Sequence, residues 1–232
     1  MIFGGLQKNS FIDYPGRISC VVFLSGCNFH CPYCHNPGLA RGSAVDGDDL
    51  NLCGLLDFLA ARRGLLDAVV VSGGEPTLQP DLAELCGCIR EAGYPVKLDT
   101  NGSNPDAIRH LLADNLVDYI AMDIKTAPEG YVPDLAADLE PARLLASIDL
   151  IMHSGRPYEF RTTCVQPFVD HAIITAITSC IAGAERYFLQ TFRPETVMDP
   201  RFFTGSRRGA TAAELENFRR LAAPHVRQCL VR

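Results

Sequence analysis

Three cysteines fall within eight positions of one loop, Ser25-Gly26-Cys27-Asn28-Phe29-His30-Cys31-Pro32-Tyr33-Cys34-His35-Asn36-Pro37. Its glycine and prolines let the backbone change direction repeatedly, as a loop wrapped around a metal centre must. Thiolates are soft ligands suited to iron–sulfur clusters, and most cubanes take four of them. Only three lie in this loop, so a cubane held by Cys27, Cys31 and Cys34 keeps one iron open to another ligand. A structural zinc ion would need His30 or His35 as its fourth donor. A disulfide suits an oxidising compartment, and buried thiols suit an apolar setting that this loop lacks. An iron–sulfur cluster is the reading that fits the loop best.

The remaining cysteines, Cys20, Cys53, Cys86, Cys88, Cys164, Cys180 and Cys229, form no second compact group and read as small packing residues. Four other segments carry chemistry. In Gly73-Gly74-Glu75-Pro76 the glycines permit close backbone approach to a ligand and the carboxylate can hold an amine; an ordinary strand-to-helix turn is the plainer reading. Asp99-Thr100-Asn101-Gly102 is similarly polar. In Met122-Asp123-Ile124-Lys125 the charged residues are two apart, so on a strand they share one face; a surface ion pair is the alternative. The last is Arg161-x3-Val165-x-Pro167.

What must position these residues is legible from hydrophobic patterning. Apolar runs at Ile18–Leu24, Ala68–Ser72, Val96–Asp99, Val117–Asp123, Tyr158–Thr163 and Arg186–Thr191 are near-continuous, as in parallel strands covered on both faces. Between and after them lie helix-length segments: Asp48–Arg63, Asp81–Ala92, Pro105–Asn115, Pro141–His153 and Asp170–Ala182. Thr211 and Glu214 are spaced as a capping box before a last helix. Six strand-then-helix units follow one another, which predicts an α/β fold with a parallel sheet, open or closed into a barrel. Either architecture places its ligand site beyond the C-terminal ends of the strands, where all these segments fall.

The chain has 232 residues, 47% of them hydrophobic, which suits one domain spanning 1–232 with a substantial core. A net charge of −6 argues against a protein whose task is holding nucleic acid by its phosphates. No apolar run approaches the roughly 18 residues that span a bilayer, and the start does not read as a secretory signal; the cytoplasm is the expected location. Residues 193–210 read as an irregular loop, in which Arg193, Arg201, Arg207 and Arg208 either meet a partner or lie solvated.

With these residues in view, the sequence resembles the radical SAM superfamily. Cys27-x3-Cys31-x2-Cys34, with aromatic Tyr33 before the last cysteine, matches its signature, and the other segments follow in the family's order. Asn9 to Arg17 and His35-Asn36-Pro37 resemble segments of the branch that activates glycyl-radical enzymes. The resemblance implies a partial (β/α)6 TIM-like barrel with outer helices, and one [4Fe–4S] cluster on Cys27, Cys31 and Cys34. It also implies S-adenosylmethionine (SAM) bound by Tyr33, Gly73, Gly74, Glu75, Pro76, Asp99, Thr100, Asn101, Asp123, Lys125 and Arg161. Glu75 and its neighbours would meet the methionyl amino group, Asp99 to Asn101 the ribose and methionyl parts, and Lys125 the carboxylate, with Arg161 approaching SAM. A monovalent cation near Asp99 and Asp123 is allowed. The implied chemistry is reductive cleavage of SAM to a 5′-deoxyadenosyl radical, which takes a hydrogen atom from a glycine of a partner enzyme. That partner is anaerobic ribonucleotide reductase by this resemblance, and flavodoxin or ferredoxin is the implied electron donor.

Two departures stand out. The interval between the cluster loop and Gly73 holds only Cys53, without the extra cysteine pairs that many activases carry, and residues 193–211 match no catalytic motif. Two other readings compete: a radical SAM enzyme acting on a small molecule or peptide in cofactor or peptide maturation, and a non-catalytic metal-binding module.

Overall fold

The computed structural model describes residues 1–42, 50–203 and 208–232; Asp48 and Arg207 lie outside the described residues. The first strand, β1 (Phe3–Ser10), runs antiparallel to β2 (Ser19–Leu24). After β2 come a short helix α1 (Pro37–Ala40) and then α2 (Leu52–Ala61). The alternation continues through β3 (Ala68–Gly73), α3 (Leu82–Glu91), β4 (Val96–Thr100), α4 (Pro105–Ala113), β5 (Tyr119–Asp123) and α5 (Pro141–Met152). It ends with β6 (Tyr158–Cys164), α6 (His171–Cys180), β7 (Tyr187–Thr191), α7 (Ala212–Ala222) and β8 (Cys229–Val231).

The strands are ordered along the sheet as along the chain. The β2–β3, β3–β4, β6–β7 and β7–β8 pairs are parallel. All six expected strand-then-helix units are present, and each strand lies within two residues of its expected bounds. Two strands were not expected. β1 carries glycines and exposed polar residues rather than an apolar run, and β8 is only three residues long. The chain divides into two compact units, Met1–Asn28 with Gly38–Thr100 and Asp106–Ile120, and Phe29–Pro37 with Asn101–Pro105 and Ala121–Arg232.

In the first unit, Val21, Val22, Leu24, Val69, Val70, Val71, Val96 and Leu98 are at most 2% exposed. Helices α2 and α3 bring Leu55, Leu59, Leu85 and Ile89, all fully buried. Tyr14, Val21, Ala68, Val70 and Tyr119 form a further cluster, with the two tyrosine rings 5.6 Å apart. Burial on both sheet faces explains why these strands read as unbroken apolar runs. Helix α2 starts at Leu52, inside the expected Asp48–Arg63 segment, because Asn51 caps it, its Oδ1 accepting from the Gly54 N–H at 3.0 Å.

In the second unit, Phe160, Tyr187 and Leu189 of the strands and Ile174, Ile177, Leu215 and Phe218 of the helices make the core. Asp170 caps α6, accepting from the Ile173 N–H at 2.8 Å. The expected capping box is formed: Thr211 Oγ1 accepts from the Glu214 N–H, and Glu214 accepts from the Thr211 N–H. Arg208 also pairs with Glu214, at 2.7 and 2.8 Å.

All ten cysteines are free thiols. Burial pushes Cys20, Cys86 and Cys164 up to about 12 and Cys229 up to about 11, so these four stay protonated and pack as small apolar groups. Cys53 is exposed, and packing does not describe it. Among the described residues, no helix is long and apolar enough to cross a membrane.

Candidate active site

The end of β2 is held by backbone. The Gly26 N–H donates to the Leu39 carbonyl at 2.7 Å and the Cys27 N–H to Ala40 at 3.1 Å, so the last residues of α1 fix the first cysteine. The end of β3 closes on the same turn, with the Gly74 N–H donating to Leu24 and the Glu75 N–H to Gly26, each at 2.8 Å. A Cβ on Gly73 would overlap the Leu24 backbone, and one on Gly74 would overlap the Gly26 carbonyl. The Gly73-Gly74 pair is therefore required by two strand ends meeting beside Cys27, and Gly73 adds a positive φ of 128°.

Glu75 is 1% exposed. Its Oε1 accepts from the Thr77 N–H at 3.1 Å, the Thr77 hydroxyl at 2.5 Å and the Thr100 hydroxyl at 2.7 Å. It caps the 3-10 turn Pro76–Leu78 and ties that turn to the end of β4. The carboxylate thus holds the Gly73–Pro76 turn in place. Two residues before Asp99, Lys97 is a buried lysine, 1% exposed, whose ammonium pairs with Asp99 and lies 5.8 Å from the Tyr119 ring centroid.

In the second unit, Phe29 to Cys34 is pinned against the segment after β5. The His30 N–H donates to Leu135 at 2.9 Å, the His30 ring contacts the Pro133 carbonyl at 2.9 Å, and Phe29 packs on Tyr131 at 5.4 Å. The Cys34 N–H donates to the Cys31 carbonyl at 3.0 Å, closing a turn between the two cysteines. Cys31 is buried, while Cys27 and Cys34 are half-buried. The Tyr131 hydroxyl bonds the Lys125 N–H at 2.8 Å. Burial pushes Tyr131 above the ordinary tyrosine range.

Charge gathers where β5 and β6 end. Arg161 Nε lies 2.7 Å from Asp123 Oδ1, and Lys125 Nζ lies 3.1 Å from Asp123 Oδ2. Behind them, Glu159 stands 3.9 Å from Arg161 and 3.3 Å from Arg232. Burial alone would raise the Asp123 carboxyl, but Arg161 and Lys125 outweigh it and hold Asp123 well below the usual range. Burial would likewise lower Lys125, but Asp123 and Cys31 outweigh it and keep the ammonium charged. Two cations on one carboxylate leave Asp123, Lys125 and Arg161 with a net positive charge, which complements an anionic ligand. A monovalent cation near Asp99 or Asp123 would share carboxylates that protein cations already neutralise. Asn101 is turned into its own loop, its Oδ1 accepting from the Ser103 N–H at 2.9 Å.

These residues fit a cluster better than zinc. The donor set decides this: three thiols of one loop are the soft donors that iron–sulfur clusters take, whereas a closed zinc site requires four protein ligands. A cubane instead takes its thiolates on separate irons. His30 is engaged with Pro133, and His35 packs on Phe192 at 5.6 Å. Burial, with Lys125 adding, lowers His35 below the ordinary histidine range, so its ring stays neutral. The Tyr33 side chain is 3% exposed, and among the described residues its hydroxyl, like that of Ser19, has no hydrogen-bond partner. A buried hydroxyl without a protein partner is one that a bound ligand or a water can satisfy. Burial, then the neighbouring Cys31, pushes Tyr33 well above its ordinary value. Lys97, Tyr131 and Glu159 went unnoticed in the sequence. Lys97-x-Asp99 mirrors Asp123-x-Lys125, and that symmetry was the available signal.

The family described as the Radical SAM superfamily matches residues 21–177, more than half of the chain. A provisionally assigned glycyl-radical enzyme activating enzyme of Methanocaldococcus jannaschii is 37% identical over 210 residues, covering 87% of this chain and 84% of that protein. The 7-carboxy-7-deazaguanine synthase of Methanopyrus kandleri is 36% identical over 148 residues, covering 56% of this chain and 57% of that enzyme. In fold, 91% of the chain superposes on 48% of Streptococcus suis SuiB, solved with its precursor peptide SuiA, with a TM-score of 0.69 at 14% identity. That superposition bears out the expected α/β architecture. Family match and long-range relative agree, and this chain belongs to the radical SAM superfamily of enzymes.

Proposed function

We propose that this enzyme installs a glycyl radical on a partner enzyme, and that the partner is anaerobic ribonucleotide reductase. The observation that carries the reading is the similarity to the M. jannaschii activating enzyme, which extends over 84% of that protein. The likeness to the deazaguanine synthase covers 57% of its length, so the small-molecule reading has less behind it.

Cys27, Cys31 and Cys34 are assigned as the thiolate ligands of a [4Fe–4S] cluster. Held there, the cluster would supply one-electron reduction of SAM, with flavodoxin or ferredoxin as the electron source, and the sulfur–C5′ bond would part into methionine and a 5′-deoxyadenosyl radical. Lys125 and Arg161 offer their positive charge to the SAM carboxylate. The backbone of Gly73 and Gly74, fixed by Glu75, lets the methionyl amine approach closely, and the Tyr33 hydroxyl supplies an unpaired donor to the bound ligand. Asp99, Thr100 and Asn101 flank the ribose and methionyl parts. The partner's glycine gives up one Cα hydrogen atom, completing 5′-deoxyadenosine, and keeps the unpaired electron. Ten free thiols suit a reducing compartment, so we assign the protein to the cytoplasm. Neither nucleic acid nor membrane is assigned as a partner.

Electron paramagnetic resonance of the reductase after anaerobic incubation with this protein, SAM and a reductant tests the assignment. The expected result is a glycyl doublet on the reductase together with nucleotide reduction. SAM cleavage without a radical on the reductase would overturn it.

A further inference from the structure

The segment after β7 was left without a role by its sequence, yet it meets the cysteine loop at several points. A continuous series of ring contacts runs Tyr33–Phe168 (5.5 Å), Phe168–Phe202 (5.5 Å, stacked), Phe202–Phe203 (5.2 Å, edge-on), Phe203–Phe192 (4.8 Å, stacked) and Phe192–His35 (5.6 Å). The series starts on the residue before Cys34 and ends on the residue after it. A backbone bond closes the arrangement, from the Asp199 N–H to the Pro32 carbonyl at 3.0 Å.

Local structure explains how adjacent phenylalanines serve different neighbours. Asp199 accepts from the Arg201 N–H at 3.0 Å, at the start of the 3-10 turn Pro200–Phe203. The turn sets the Phe202 and Phe203 rings at 79° to one another, so one stacks on Phe168 and the other on Phe192. Phe168 and Phe192 are 4% and 8% exposed, so the rings that touch the cysteine loop are anchored in the core. The series therefore brackets Cys34 on both sides, through Tyr33 and through His35.

We infer that residues 192–203 clamp the cysteine loop, and that Phe192, Phe202 and Phe203 are positioning residues that hold Tyr33, Cys34 and His35 in place. Every contact of the clamp is between protein groups and none needs a cluster ligand, so it presents Cys34 in an ordered turn and slows loss of this ligand.

The test reads thiol labelling of the anaerobic apoprotein, resolved by cysteine with mass spectrometry, so its outcome is separate from that of the proposed activity. In Phe203→Ala, labelling of Cys34 should rise about tenfold, because a loop that opens locally exposes its thiol. The exposed Cys53 and the buried Cys86 should keep their parental rates. In the reconstituted variant, iron loss to a chelator should quicken by a similar factor. If Cys86 is also unmasked, Phe203→Leu decides: it keeps the apolar volume but loses the stacked contacts, and should raise Cys34 labelling alone. An unchanged Cys34 rate in a variant that still protects Cys86 overturns the inference.

Discussion

Cys31→Ala folds but fails to hold iron. Reconstituted with iron and sulfide, the variant should retain almost none, whereas the parent retains a full cubane, because two thiolates leave two irons open and half of the usual ligand set absent. Cys86→Ala is the matched control. Its thiol is fully buried, and burial pushes it up to about 12, so it has no thiolate to offer. Losing its sulfur should cost about 1 kcal/mol of stability through a small cavity, with iron content unchanged. Iron and sulfide per chain, with melting temperatures for both variants, check the contrast. Equal iron in Cys31→Ala and the parent would remove Cys31 from the ligand set.

The second large effect is at Asp123. Asp123→Asn leaves Lys125 and Arg161 facing each other without their shared anion. Removing one member of a buried charge group is strongly destabilising. Since the Asp123 side chain is 30% exposed, water offsets part of this, and the cost should be about 3 kcal/mol, the lower end for such pairs. The pH dependence follows from the direction of the shift. Asp123 binds its proton less readily folded than unfolded, so its contribution is present above the ordinary carboxylate value near 4 and is lost as pH falls toward the folded value. Urea titrations should therefore show the gap between parent and variant wide at neutral pH and narrowing below about pH 4. A gap that is constant with pH would mean that Asp123 is not held as the charged partner of Lys125 and Arg161.

The strands that carry the site were readable because both of their faces are buried, which writes continuous apolar runs into β2, β3 and β5. β1 escaped notice for the opposite reason: it pairs with β2 and leaves Gln7, Lys8 and Asn9 exposed. The cysteine loop was legible because its three thiols are close in sequence, so spacing alone reports their chemistry. Glu75 has a further task that its spacing in the sequence does not announce. The sequence offers its carboxylate to a ligand, but Pro76 begins a 3-10 turn whose free N–H groups need an acceptor, and Glu75 supplies it. Lys97 was illegible because a lysine in a strand reads as solvent-facing until its neighbours are known; Asp99 and Tyr119 make its burial tolerable. The clamp on the cysteine loop joins residues more than 150 positions apart through rings, and no local pattern announces it.

The most direct test of the central claim is cleavage of SAM. Protein carrying a verified, fully loaded cluster would be given dithionite and SAM without oxygen, and methionine and 5′-deoxyadenosine would be quantified against Cys31→Ala. The account predicts both products in equal amounts from the parent and neither from the variant. Their absence from the fully loaded parent, with the partner reductase also present, would contradict it.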